Sequence, residues 1–265
     1  IWLASNGGGI GGYWGDVRSD GTSTSHGSKS TGSIPFMRVV DSQMLAFNQG
    51  TTRRGSYACY MDISHPEIEE FLFMRKSSGG DTNRKCLNLH HGINITDKFM
   101  ECVSKNIDWD LIDPHSQQKV KSISARELWR LILETRHETG EPYLHFIDTS
   151  NKHLPEKQKE AGLKVNQSNL CSEITLPTSE DRTAVCCLSS VNLAQYDEWS
   201  MSSTFIPDMV RMLDNVLEHF IQATYDFVYD YKGDIRNMEV QRLGFEKAGY
   251  SAYRERSIGL GAMGF

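Results

Sequence analysis

The chain has 265 residues, 38% hydrophobic, 23% charged and 10% aromatic, an ordinary globular composition that excludes global disorder and admits one large domain or two smaller ones. No apolar run reaches the length of a membrane-spanning helix, and the N-terminal stretch lacks the basic flank of a signal peptide. The net charge of -6 argues against a broad nucleic-acid footprint, so any bound phosphate is expected to be held locally and neither DNA nor a membrane is an expected partner. Six cysteines without a C-x-x-C pair suit a reducing, cytoplasmic setting and offer no zinc spacing. The chain opens on Ile1-Trp2-Leu3 without a Met and closes on an apolar Ala262-Met263-Gly264-Phe265, so a segment of a longer chain is expected.

Six of the 22 glycines fall in the first 15 residues, and Gly21 to Ser33 is almost wholly Ser, Thr and Gly. Neither stretch can build a core; each reads as a linker or as backbone that approaches a ligand closely. Pro35 then opens an apolar pattern through Met37, Val40, Met44, Leu45 and Phe47 that predicts a helix ending near Gly50. A strand is expected over Ser56 to Ile63, and Ser64-His65-Pro66-Glu67 has the form of a helix start. Cys86 to Ile95 reads as a strand, Thr96 as the cap of a short helix, and Ser124 with Glu127 as a capping box whose helix stops at Gly140. A strand over Tyr143 to Ile147, β-type segments over Leu170 to Leu176 and Ala184 to Leu193, and a helix behind Pro207 complete the pattern. Alternating strands and helices predict parallel strands with helical crossovers.

In an extended segment Asn169, Cys171 and Glu173 would face one way, bringing an amide, a thiol and a carboxylate together. Such a set suits chemistry on a polyol: the amide holds hydroxyls, the carboxylate accepts a proton and sulfur reacts. The plain alternative is a buried cysteine between two solvated neighbours. Cys186 and Cys187 would point to opposite faces of their strand. Ser5 to Gly12 has the composition of a phosphate-cradling loop without a complete phosphate-binding motif, and Asn48 to Gly55 forms a second polar loop carrying Arg53 and Arg54. A thiol hydrolase would need a histidine beside Cys171, and no local pattern supplies one.

The order of these stretches is more telling than any one of them. Gly-Ile-Gly-Gly, then Asn-Gln-Gly-Thr-Thr-Arg-Arg-Gly-Ser-Tyr, Ser-Asn-Leu-Cys-Ser-Glu-Ile, Ala-Val-Cys-Cys-Leu-Ser-Ser-Val-Asn-Leu and Arg-Ser-Ile-Gly-Leu-Gly together resemble the large, catalytic subunit of ribonucleotide reductase, over nearly the whole chain. The Asn-Leu-Cys-Ser-Glu form is similar to class I rather than to the cobalamin-dependent class II.

The resemblance implies an α/β fold, part of a ten-stranded barrel of two antiparallel halves of five parallel strands, with a central finger loop. On that basis residues 1–265 are a partial catalytic barrel domain: 1–55 phosphate and specificity loops, 56–165 alternating strands and helices, 166–193 finger loop and redox-cysteine strand, and 194–265 a helical segment with the start of the next barrel unit. Cys171 would be an enclosed thiyl radical that removes the ribose 3′ hydrogen. Glu173 would take the 3′ hydroxyl proton, Asn169 would hold the ribose hydroxyls, and Cys186 would belong to the redox-active thiol pair. Gly8 and Gly9 would lie against substrate phosphates, Arg18 would reach an effector phosphate, and Gln49 and Arg53 would link effector to substrate base. The implied partners are ribonucleotide, dNTP or ATP effectors, a radical-generating small subunit that carries the metal, thioredoxin or glutaredoxin, and a second large subunit in a homodimer. No metal site is expected in this chain. The redox partner of Cys186 and the radical-transfer tyrosines would lie outside these residues, and the alternatives are an incomplete or split-gene segment acting only as the nucleotide-binding part of the reductase, or a cobalamin-dependent class II reductase.

Overall fold

The computed structural model describes residues 2–5, 7–49, 53–230 and 238–264. They divide into two compact units, with the boundary along the chain between Thr175 and Leu176.

In the first unit α1 (Trp2–Ser5) leads into β1 (Gly9–Tyr13), followed by α2 (Ile34–Ala46), a short hairpin of β2 (Asn48–Gln49) and β3 (Arg53–Arg54), β4 (Ser56–Asp62), α3 (Ile68–Phe73), β5 (His90–Ile95) and α4 (Asp97–Lys105). The hairpin of β6 (Asp108–Ile112) and β7 (Lys119–Ser124) comes next, then α5 (Ala125–Thr139), β8 (Tyr143–Phe146), α6 (Ile147–Lys152) and α7 (Glu156–Glu160). Strands β1, β4, β5 and β8 make one parallel sheet in that order, as the alternation of strands and helices requires.

The two faces of this sheet differ in chemistry. Cys59, Met61, Ile93 and Ile95 point into a core shared with Met37 and Met44 of α2, Phe71 and Leu72 of α3, Phe99 of α4, and Leu128 and Ile132 of α5. Burying each of these large side chains contributes roughly 1.5–3 kcal/mol. Residues of opposite parity form rows on the other face. Tyr13, Tyr60, Gly92 and Tyr143 are in register, and beyond them lie Asp62, Asn94 and His145. A sheet with one apolar and one polar face is covered by helices on one side only, and the polar side is left for function.

Local chemistry sets the helix ends. Thr96 Oγ1 accepts from the amide of Phe99 at 3.2 Å, Ser124 Oγ from that of Glu127 at 3.3 Å, and α5 ends on Gly140 at φ 79°. Two boundaries differ from expectation because side chains take the backbone groups. The helix expected from Ser64 starts only at Ile68: His65 Nδ1 accepts the amide of Glu67, while the Glu67 carboxylate accepts from Ser33. The strand expected from Cys86 starts at His90, because buried Asp41 Oδ1 accepts the amides of Asn88 and Leu89 at 2.7 and 3.1 Å. The β6–β7 hairpin was not predicted, although Trp109 and Leu111 alternate with exposed neighbours.

The second unit contains β9 (Cys187–Asn192), α8 (Tyr196–Trp199), α9 (Phe205–Asp230), α10 (Met238–Glu255) and β10 (Ile258–Met263). β9 and β10 pair in parallel from Cys187 opposite Ile258 to Asn192 opposite Met263. α9 packs on α10 through buried Leu213, Leu217, Thr224, Ala248 and Ala252, and Gly249 admits the approach, since a Cβ there would lie 2.7 Å from Thr224 Cγ2. The strand expected from Ala184 begins at Cys187, and α10 was not anticipated.

Candidate active site

Residues 166–174 cross the polar face of the four-stranded sheet, and side chains from the sheet hold their backbone. Asn94 Nδ2 donates to the Asn166 carbonyl at 2.8 Å, and the Tyr60 hydroxyl donates to the Asn169 carbonyl at 2.7 Å. Just before them Asn151 brackets Val165, donating to its carbonyl at 3.0 Å and accepting its amide at 2.9 Å. These anchors fix the first arm of the segment.

Beyond them the chain turns. Asn169 Oδ1 accepts the amides of both Glu173 and Ile174 at 3.1 Å, Ser168 Oγ donates to the Ile174 carbonyl at 2.6 Å, and Ser172 sits at φ 69°. The expected β-type segment over Leu170 to Leu176 is therefore a turn, and the strand alternation of Asn169, Cys171 and Glu173 does not apply. The reason is local: the Asn169 side chain takes the amides that a ladder would have used. Cys171 and Glu173 are exposed within this chain, so the enclosure expected for the thiol is not provided by these residues.

The glycine-rich start is a strand instead of the expected loop. Gly9, Gly11 and Gly12 belong to β1, with Gly8 just before it. A Cβ on Gly11 would lie 2.2 Å from the Ser168 carbonyl oxygen, and one on Gly9 would lie 2.6 Å from Leu170 Cδ2. Glycine is needed here because the candidate catalytic turn presses directly on the strand. Gly8 and Gly9 are exposed.

The groups beneath and beside the turn are electrically coupled to it. Burial pushes the Tyr60 phenol up to about 12, against the lowering effect of the Ser172 and Ser168 hydroxyls. Burial also raises the Tyr143 phenol, helped by the negative charges of Glu141, Cys171 when ionised, and Glu173. Tyr143 stacks on His90 at 6.3 Å between ring centres, and His90 Nδ1 meets Glu141 Oε1 at 2.5 Å, with Arg75 Nη1 3.4 Å from that oxygen. Burial acts to raise the Glu141 carboxyl, but hydrogen bonds from His90 and His91 hold it down at about 2. Among the described residues no group of three or more His, Cys, Asp or Glu side chains is arranged to hold a metal ion.

Arg18 lies in a cleft of about 450 Å³ together with Lys29, Ser30, Thr31, Phe36 and His115, at the Ser/Thr/Gly-rich stretch. That stretch is tied down at both ends. Buried Asp113, from the loop between β6 and β7, accepts the Ser19 amide, the Ser19 hydroxyl and the Thr22 hydroxyl at 2.8, 2.7 and 2.9 Å. Its other oxygen accepts the amides of His115 and Ser116. At the far end Glu67 accepts from Ser33, and Arg84 reaches the Thr31 carbonyl. Gln49 and Arg53 are partners in the β2–β3 pairing, while residues 50–52 and the side chains of Gln49 and Arg53 lie outside the described residues.

In the second unit Cys186 precedes β9, half-buried, with its Sγ 3.7 Å from the Cys187 carbonyl oxygen. Burial raises the thiol of its neighbour Cys187. Sequence reasoning missed Tyr60, Asn94 and Asp113. The signal available for the first two was a row of polar residues alternating with the core-facing ones in each strand, namely Tyr60 and Asp62 between Cys59, Met61 and Ile63 in one and Asn94 between Ile93 and Ile95 in the next.

Residues 2–265 match the family model described as ribonucleotide reductase, barrel domain. The chain is 52% identical over 264 residues to the protein of Frog virus 3 (isolate Goorha) assigned as a ribonucleoside-diphosphate reductase large subunit, an alignment covering 100% of this chain and 43% of that one. It is 41% identical to the ribonucleoside-diphosphate reductase large subunit of Invertebrate iridescent virus 3, covering 89% of this chain and again 43% of the relative. The chain thus spans less than half the length of these relatives. Among solved structures, the Actinobacillus ureae class Id ribonucleotide reductase alpha subunit superposes with a TM-score of 0.74 at 30% identity, covering 99% of this chain and 42% of that one. With this match over nearly every residue, and with parallel strands carrying a cysteine turn on their polar face, the chain belongs to the ribonucleotide reductase barrel-domain family.

Proposed function

We propose that this chain supplies the radical-bearing part of a class I ribonucleoside-diphosphate reductase large subunit. The observation that carries this reading is the turn holding Asn169, Cys171 and Glu173, anchored by Tyr60 and Asn94 to the polar face of the parallel sheet. Cys171 as a thiyl radical takes the 3′ hydrogen, re-forming its S–H bond and leaving a carbon radical on the ribose. Glu173 accepts the 3′ hydroxyl proton, and the 2′ hydroxyl leaves as water with a proton from one thiol of the redox pair. The two thiols, Cys186 among them, give up two electrons and two protons in all, one proton leaving in that water and one hydrogen going to C2′, and become a disulfide. Glu173 returns its proton to the 3′ oxygen, and the 3′ hydrogen returns from Cys171, which regains its radical. The oxygen of the Asn169 amide is engaged within the turn, so its NH2 group is the one turned to ribose hydroxyls.

Around this centre, exposed Gly8 and Gly9 lie against the substrate phosphates, their lack of side chains letting the ligand approach the backbone. Arg18, in its cleft, takes an effector phosphate, and Gln49 and Arg53 pass effector identity to the substrate base. The radical is generated in a separate metal-containing small subunit, thioredoxin or glutaredoxin restores the thiols, large subunits pair as a homodimer, and the assembly works in the cytoplasm. Diphosphate specificity rests on the names of the viral relatives.

The test is Cys171→Ser in the complete reductase. Turnover should vanish, because the O–H bond of serine is too strong to supply the radical, while nucleotide binding persists. Deoxynucleotide formation by this variant would overturn the assignment. Loss of nucleotide binding from the wild-type protein would overturn the effector reading separately.

A further inference from the structure

One hydrogen-bonded chain runs across the polar end of the sheet and ends on the catalytic turn. The Ser150 hydroxyl meets His145 Nε2 at 2.8 Å, His145 Nδ1 meets Asn94 Oδ1 at 2.9 Å, and Asn94 Nδ2 donates both to Asp62 Oδ1 and to the Asn166 carbonyl at 2.8 Å. The Tyr13 hydroxyl donates to the other Asp62 oxygen at 2.5 Å. The two acceptors at Nδ2 fix which way the Asn94 amide points, so Oδ1 must accept, and His145 must carry its proton on Nδ1. The Ser150 hydroxyl then donates to Nε2, every donor runs toward Asp62, and no orientation in the chain is left undetermined. Asn94 and His145 are almost wholly buried, at 1% and 6% exposure, and their burial favours the neutral imidazole this arrangement uses.

We propose that Asn94, oriented by His145 and Asp62, is a positioning residue that sets the register of the turn and hence the placement of Cys171. This rests on the reading of Cys171 as the reacting thiol. Asn94 touches neither Cys171 nor Glu173; it acts by holding the Asn166 carbonyl, upstream of the point where Tyr60 holds Asn169. Losing one anchor on this half-buried arm lets the turn shift by a fraction of its length, and a misplacement of about 1 Å near reacting atoms costs about 100-fold in rate.

The experiment uses the complete reductase with its small subunit, dithiothreitol and a ribonucleoside diphosphate, and compares Asn94→Ala, Asn94→Leu, His145→Leu and His145→Gln with wild type and with Cys171→Ser. For Asn94→Ala and Asn94→Leu, kcat should fall about 100-fold with KM within about 2-fold, and deuterium uptake should rise at residues 166–174 while the β4 and β5 amides stay protected. His145→Leu should move kcat the same way, and His145→Gln, which keeps a donor, should recover most of it. If the Asn94 variants do not fold, the two His145 variants decide the matter. Wild-type kcat and unchanged exchange at 166–174 would overturn the proposal, as would a loss shared equally by kcat, KM and exchange across the sheet. Turnover by Cys171→Ser would instead refute the thiol assignment on which it rests.

Discussion

Gly11→Ala tests how closely the turn and β1 depend on each other. The added methyl carbon would sit 2.2 Å from the Ser168 carbonyl oxygen, 2.8 Å from Asn169 Cα and 2.9 Å from the Asn169 carbonyl carbon. All three are backbone atoms, so no side chain can rotate away. Restoring an ordinary 3.4 Å contact requires the turn to lift by about 1.2 Å, against the anchors from Tyr60 and Asn94. Overpacking of this kind costs about 1–3 kcal/mol, and a displacement of about 1 Å at the residue two positions before Cys171 should cost about 100-fold in turnover. Gly21, where a Cβ meets nothing within 4 Å but φ is +77°, is a control that strains the backbone without touching the turn. Thermal unfolding and steady-state reduction are measured for both variants. Gly11→Ala with wild-type melting temperature and wild-type kcat would show that the turn does not press on β1 as described.

Asp113→Asn should release Ser19 and Thr22, lowering stability by about 2 kcal/mol and weakening effector binding at the Arg18 cleft; isothermal titration with a dNTP reads the second effect, and unchanged affinity would count against Asp113 as the anchor of this stretch. Because the hydrogen bonds from His90 and His91 hold the Glu141 carboxyl at about 2 despite its burial, its contribution is fully present above the ordinary carboxylate range and is lost as pH falls toward 2. Wild type should therefore lose melting temperature more steeply than Glu141→Gln between about pH 4.5 and pH 2, and parallel curves would contradict this. Ser124→Ala should cost about 1 kcal/mol in chemical denaturation by leaving the Glu127 amide uncapped.

What could be read along the chain were features decided within a turn or two of backbone. Ser124 and Thr96 cap their helices because a side-chain oxygen two or three residues from an orphan amide needs no distant partner. The apolar runs over α2 and over Ser56–Asp62 likewise declare that a helix and a strand form there, and the alternation of strands with helices leaves parallel pairing as the workable outcome. The order of motifs carried the family, since Asn169, Cys171 and Glu173 keep their spacing whatever shape the chain takes. Their conformation could not be read in this way. Asn169 closes the turn with its own side chain, but the place of that turn on the sheet depends on Tyr60, which lies 109 residues away and holds its carbonyl. Whether Gly11 lines a phosphate loop or a strand depends on what packs over it, and only the folded sheet brings Ser168 to that spot. Asp41 stealing the amides of Asn88 and Leu89, and Asp113 gathering Ser19 and Thr22, are of the same kind: one buried carboxylate outcompetes local propensity because its unpaired charge would cost more than the backbone bonds it displaces.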